Sequence, residues 1–129
     1  MRLLLDTHVV LWALGDPDRL APVARAAIAD ATVELAVSTA TVWELAIKVG
    51  LGKLRLPGSV AQWFVPAVVE LGAQWLEVTA IEAAAVETLP THHRDPFDRL
   101  LIVQALAGGW TLVTADAAFA GYGVPVLHT

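Results

Sequence analysis

Apolar positions along this chain fall into two kinds of run. Short runs of about four or five residues, bounded by turn residues, occur at 2–5, 34–38, 75–78, 110–114 and 124–127. Each is too short for a helix, and the β-branched content of several suits interior strands, with 124–127 read as an edge strand. Between them the apolar residues recur at helical spacing. A helix is expected over 7–14, closed by Gly15 and the turn Asp16-Pro17-Asp18, and an Ala-rich one over 22–30. Thr39 or Thr41 caps a third, running to Val49, on which Val42, Leu45, Ala46 and Val49 form the apolar stripe and Glu44 with Lys48 the polar one. The segment 51–59 is irregular, Ser59 caps a helix that Pro66 kinks or divides, and Thr79 with Glu82 forms a capping box for a helix to Leu89.

The stretch 95–116 organises the rest. Asp95 followed by Pro96 is a helix start, since the carboxylate caps free N–H groups and proline needs no hydrogen bond at the first helical position. Leu100, Leu101, Ile102, Val103 and Leu106 then surround the helix axis with apolar groups, and Gly108-Gly109 ends it. A strand follows, with Asp116 just beyond its end. Strands alternating with helices indicate βαβ units and therefore a three-layer α/β/α sandwich around a mostly parallel sheet.

That architecture accounts for a composition that is 57% hydrophobic over 129 residues, because strands covered on both faces read as continuous apolar runs. No run approaches the roughly 18 apolar residues of a membrane span, and MRLLLD is too short for a secretory signal. The absence of cysteine excludes disulfides and thiolate metal sites and agrees with a cytoplasmic protein. No repeat or linker divides the chain, so residues 1–129 are expected to form one domain.

The architecture also gathers chemistry. Open parallel sheets bind ligands beyond the C-terminal ends of their strands. Asp6 ends the first strand, Asp116 follows the 110–114 strand, and Glu44 lies in the second turn of the helix leaving 34–38. Asp98 joins them if the segment before its helix arrives at that edge. Crowded carboxylates repel and raise one another's pKa, so such a cluster implies a bound cation. All-oxygen ligation suits Mg²⁺ or Mn²⁺, whose usual work is phosphoryl transfer. Each acid also has an ordinary explanation: Asp6 as a helix cap, Asp116 as the opening of a turn, Glu44 as a capping-box partner of Thr41 or an ion pair with Lys48, Asp98 as a first-turn acid. Their shared location favours ligation, on the view that caps have no reason to collect at one edge. His8 is expected to pack in the core against Trp12, and His92 and His93 to be solvent or capping residues. The five tryptophans are expected in the core or a subunit contact.

The segments LLLDTHVVLWAL (3–14), VSTATVWELAIKVGLGKL (37–54), HRDPFDRLLIVQA (93–105) and LVTADAAF (112–119) resemble, in order, the motifs of PIN-domain nucleases, in particular the VapC-type toxins of bacterial toxin–antitoxin pairs. The resemblance implies a PIN-like fold, with the family's acidic positions on Asp6, Glu44, Asp98 and Asp116, Asp95 as the helix cap, and Thr114 as the hydroxyl residue beside the site. It implies an endoribonuclease dependent on Mg²⁺ or Mn²⁺ that cleaves RNA with metal-activated water, a homodimer, and a cognate antitoxin protein whose tail fills the groove. The chain departs from the pattern at Ala117 and Ala118, where many members carry another acid, which leaves one-metal chemistry open.

The net charge of −5 opposes attraction of nucleic acid by bulk electrostatics. Lys48, Lys53, Arg55, Arg94 and Arg99 nevertheless lie in or beside the same motifs, and Arg94 or Arg99 is expected to touch phosphate. Two other readings are open: a catalytically silent binding module of the same fold, and an aspartyl-phosphate phosphatase using Asp6, which would want a second Asp where His8 stands.

Overall fold

In the computed structural model, which describes residues 1–129, five parallel strands form one sheet in the order β3-β2-β1-β4-β5. The strands are β1 (Arg2–Leu5), β2 (Glu34–Ser38), β3 (Ala73–Leu76), β4 (Thr111–Thr114) and β5 (Val126–His128). Helices α1 (Thr7–Gly15), α2 (Pro22–Ala29), α3 (Thr39–Gly50), α4 (Val65–Glu70), α5 (Ala80–Ala85) and α6 (Pro96–Gly108) connect them. The result is the expected three-layer α/β/α sandwich.

Alternation along the strands builds two cores. Leu3, Leu5, Val37 and Val113 face Val9, Val10, Ala24, Ile28, Leu45, Phe64 and Val68. Leu4, Ala36 and Leu112 face Leu101, Ile102 and Ala105 of α6 together with Trp110, Phe119, Tyr122 and Val124. Burying a Leu-sized side chain contributes about 1.5–3 kcal/mol, so strands apolar on both faces hold helices on both sides at once.

Three strands lie one or two residues from their expected places, β4 only in that it starts at Thr111. β3 starts at Ala73 because Gly72, at φ 88°, turns the chain out of α4 in a single residue. Val78 falls outside the sheet, its N–H donated to the Thr39 hydroxyl instead. β5 begins after Pro125, whose carbonyl accepts from the Leu112 N–H, and Val124 is buried in the second core. Pro66 does alter its helix: residues 60–64 wind wider, with the Val65 N–H reaching back to the Val60 carbonyl, before α4 resumes the α pitch.

The order of strands creates the site. The chain winds outward from β1 to β2 to β3, then crosses back to lay β4 on the other side of β1. The crossing leaves a crevice at the C-terminal ends of β1 and β4, where connections depart in opposite directions. Asp6 and Thr114 stand on its two sides.

Candidate active site

Asp6 leaves β1 and caps α1. Its Oδ1 accepts from the Val9 N–H at 2.9 Å and its Oδ2 from the Thr114 hydroxyl at 2.5 Å, across the β1–β4 junction. The carboxylate is 5% exposed. Burial raises its pKa, partly offset by the Thr114 and Val9 hydrogen bonds. Thr114 also accepts the Asp116 N–H at 3.0 Å, so one hydroxyl ties the two acids of the crevice together.

Glu44, 3% exposed, enters from α3. Its Oε1 accepts from the Thr7 hydroxyl at 2.6 Å and its Oε2 from Lys48 at 2.5 Å. The capping-box reading of Glu44 fails, because Ser38 caps α3 and Thr41 lies inside the helix with its hydroxyl buried and without a partner. The ion pair with Lys48 does form, and hydrogen bonding to Glu44 raises the pKa of Lys48.

α6 starts as expected, with Asp95 accepting from the Phe97 and Asp98 N–H groups and Pro96 at the first position. Asp98 therefore projects from the first turn, at the edge where Asp6 and Asp116 lie. Its pKa is raised to about 7: burial is the main cause, Asp95 adds to it, His93 opposes it, and Asp6 and Glu44 repel it further. Asp116 caps the turn Ala117–Phe119 through the Ala118 N–H and is half exposed.

The four acids thus reach one crevice, although not as one tight set. A metal-sized grouping is formed by His93, Asp98 and Asp116, whose ligand atoms all lie within 4.8 Å of one another. Asp6 and Glu44 stand behind it and act on Asp98 through charge. Caps do collect at this edge, contrary to the expectation from sequence. Asp6, Ser38 and Asp116 are all caps, because in a parallel sheet every helix or turn following a strand begins there. What separates Asp6 and Asp98 from ordinary helix-start acids is burial, which raises the pKa of both.

His93 went unrecognised in the sequence. Its Nε2 lies 3.0 Å from Asp98 Oδ2 and 3.1 Å from Asp116 Oδ2. Its place as the first residue of the segment 93–105, two residues before Asp95, was a weak signal, and a loop histidine has many ordinary roles. Thr7 was missed for a similar reason, since it reads as the first residue of a helix. His8 is exposed and not in the core; with Thr7, Lys48, Lys53 and Leu54 it lines a recess of about 240 Å³ beside Glu44. Trp110 is buried as expected, whereas Trp43 is 64% exposed and meets Phe97 edge-on at 5.4 Å between ring centroids.

The two arginines beside Asp98 separate. The Arg99 guanidinium donates to the carbonyls of Val86, Leu89, Pro90 and His93, so it clasps the loop before α6. Arg94, Lys53 and Arg55 are exposed. The aspartyl-phosphate reading gains no second carboxylate, since exposed His8 stands where it would want one.

The donor set fits a divalent cation. It is all carboxylate, the ligand class Mg²⁺ and Mn²⁺ prefer. Burial raises the pKa of Asp6 and of Asp98, a shift that a bound cation would reverse.

A family model described as PIN domain matches residues 3–124. The chain is 35% identical over 114 residues to Ribonuclease VapC22 of Mycobacterium tuberculosis, covering 88% of this chain and 85% of that protein. Among solved structures it superposes on VapBC2 from Rickettsia felis bound to a promoter DNA fragment, with TM-score 0.69, 19% identity and coverage of 99% and 98% of the two chains. DNA-bound VapBC from Salmonella typhimurium gives TM-score 0.71 at 16% identity, again over 99% and 98%.

Proposed function

The chain belongs to the PIN-domain family, and from that premise we propose that it is a divalent-metal-dependent endoribonuclease, the toxin of a toxin–antitoxin pair. The observation that carries the reading is the convergence of Asp6, Glu44, Asp98 and Asp116 on the β1–β4 crevice, with Asp6 and Asp98 held against their preferred ionisation. These four residues would hold Mg²⁺ or Mn²⁺, which when bound polarises a phosphodiester and makes water a better nucleophile.

The protein's own groups do the positioning. The single proton of the Thr114 hydroxyl is committed to Asp6, so Thr114 orients a ligand and does not donate to substrate. Thr7 does the same for Glu44, leaving Lys48 to neutralise the other oxygen. Burial of Asp6 and Glu44 excludes water from the rear of the site, so attack on an RNA phosphate comes from the open side, where Asp116 is exposed. The recess walled by Lys48 and Lys53 lies beside Glu44, and exposed Arg94 lies near Asp98 in sequence. They supply the phosphate contacts that a net negative protein needs locally. Recognition then rests on single-stranded shape more than on bulk attraction.

The protein partner is a cognate antitoxin. Trp43, Ile47 and Leu51 recur every four residues at the exposed surface of α3 and its end, an apolar stripe of the kind a partner chain covers. A homodimer is the second assembly proposed. Co-expression with the small protein encoded alongside, followed by light scattering, tests both.

The deciding experiment is incubation of the purified protein with RNA in Mn²⁺ and in chelator, with the ends mapped. Cleavage that needs the metal and disappears in Asp98→Asn is expected. Parental cleavage by that variant, while folded, would sink the assignment.

A further inference from the structure

We propose that His93 is a positioning residue of this site: as the Nε2–H tautomer it holds the Asp98 and Asp116 carboxylates toward each other and does not itself ligate the metal. The proposal rests on the nuclease reading and adds to it a residue that the acidic motif does not contain.

The tautomer is set by the hydrogen bonds. Nδ1 of His93 lies 3.2 Å from the Asp95 backbone nitrogen, which can only donate, so Nδ1 is the acceptor. The neutral ring then carries its proton on Nε2. That N–H is 3.1 Å from Asp116 Oδ2 in a hydrogen bond and 3.0 Å from Asp98 Oδ2. A metal bound through Nε2 would require the proton to move to Nδ1, against the Asp95 N–H already there. A donor role needs no such rearrangement.

The ring is also held too firmly to be a bystander. Phe119 packs edge-on against it with centroids 5.4 Å apart. The His93 backbone N–H donates to the Tyr122 hydroxyl at 2.6 Å, and its carbonyl accepts from Arg99 at 3.1 Å. Asp116 needs such help. It sits on a three-residue turn and its side chain is 47% exposed. A donor hydrogen-bonded to Asp116 and 3.0 Å from Asp98 sets the bearing of the first acid against the second, as hydrogen-bond partners outside the ligand set do at other metal sites.

The test reads metal binding as well as cleavage. Free Mn²⁺ is titrated by electron paramagnetic resonance into the parent, His93→Gln and His93→Ala, with the melting temperature of each as a folding check. Glutamine places an N–H near the position of Nε2, so His93→Gln should stay within about threefold of the parent. His93→Ala should lose about 10–100-fold in affinity, the usual effect of removing such a partner. Bound Mn²⁺ in the parent should show no directly coupled ¹⁴N that vanishes in His93→Gln. In the metal-free parent, ¹⁵N shifts of the ring should report the Nε2–H tautomer, a reading that needs no variant to fold. A vanishing ¹⁴N coupling, an Nδ1–H tautomer, or unchanged affinity in a folded His93→Ala each overturns the proposal while leaving the nuclease reading intact. A parent that neither binds Mn²⁺ nor cleaves RNA overturns both.

Discussion

At the scale of the residue, Asp98 is in conflict with its surroundings, and the conflict can be measured. Its carboxyl is raised from 3.8 to about 7 in the metal-free protein, chiefly by burial and then by Asp95. Between those values the folded chain keeps a proton that the unfolded chain has released. Stability contributed at this site therefore falls as pH rises through that window. Asp98→Asn removes the penalty and keeps an oxygen for His93. In chelator at about pH 8 the variant is expected to melt above the parent, with the gap closing toward about pH 4 as the parental carboxyl gains its proton. A thermal melt of both proteins across that range checks it, and equal melting temperatures at every pH would show that burial does not strain Asp98. Gain in stability with loss of cleavage is the signature of a residue kept for chemistry. Asp6, Glu44, Asp98 and Asp116 were legible because a carboxylate just past a strand or in a helix's first turns stands out against an apolar background, whereas Thr114, the last residue of β4, was singled out only through the family resemblance. His93 and Thr7 were not legible, since their roles depend on partners 23 and 37 residues away.

At the scale of the element, the start of α6 depends on a loop that has little structure of its own. Residues 89–95 contain no helix or strand, yet they carry His93 and deliver Asp98 to the site. Arg99 holds this loop through the carbonyls of Val86, Leu89, Pro90 and His93. A lysine ammonium cannot reach all four from one point, because the planar fork is what matches their spread. Arg99→Lys is expected to cost about 1.5–3 kcal/mol, the range for hydrogen bonds to a charged donor, and to reduce cleavage at least about tenfold. Arg94→Ala should behave in the opposite way, raising KM with stability nearly unchanged, since an exposed arginine outside any ion pair contributes little to folding. Denaturant melts and steady-state kinetics on the two variants separate the roles. From sequence the two arginines looked alike, each beside the acid and each a candidate for phosphate. Only the path of the loop, which no periodicity reports, sets them apart. The same limit explains β3 and β5, misplaced by about two residues: one positive-φ glycine and one proline set where pairing begins, whereas hydrophobic patterning marks only that a strand is near.

At the scale of the whole molecule, the fold sets where charge is concentrated, and metal binding should act on stability as a whole. The alternation of strands and helices predicted a parallel sheet, but the order β3-β2-β1-β4-β5 does not follow from it. That order is what brings Asp6 and Thr114, 108 residues apart, into hydrogen-bond contact. The molecule thus stores like charge at the one place where its winding reverses, and a cation bound there should favour the folded chain over the unfolded, which has no such site. One bound ion at about 100 times its dissociation constant adds about 2.7 kcal/mol. For a domain of this size that is a rise of several degrees in melting temperature. Mn²⁺ should therefore raise the parental Tm well beyond the effect of Na⁺ at equal ionic strength, and the rise should saturate with the titration curve for binding. The increment should collapse in Asp98→Asn, whose metal-free Tm starts higher. A uniform rise in parent and variant would mean that the cation acts by screening the net negative surface, and that the crevice is not where it binds.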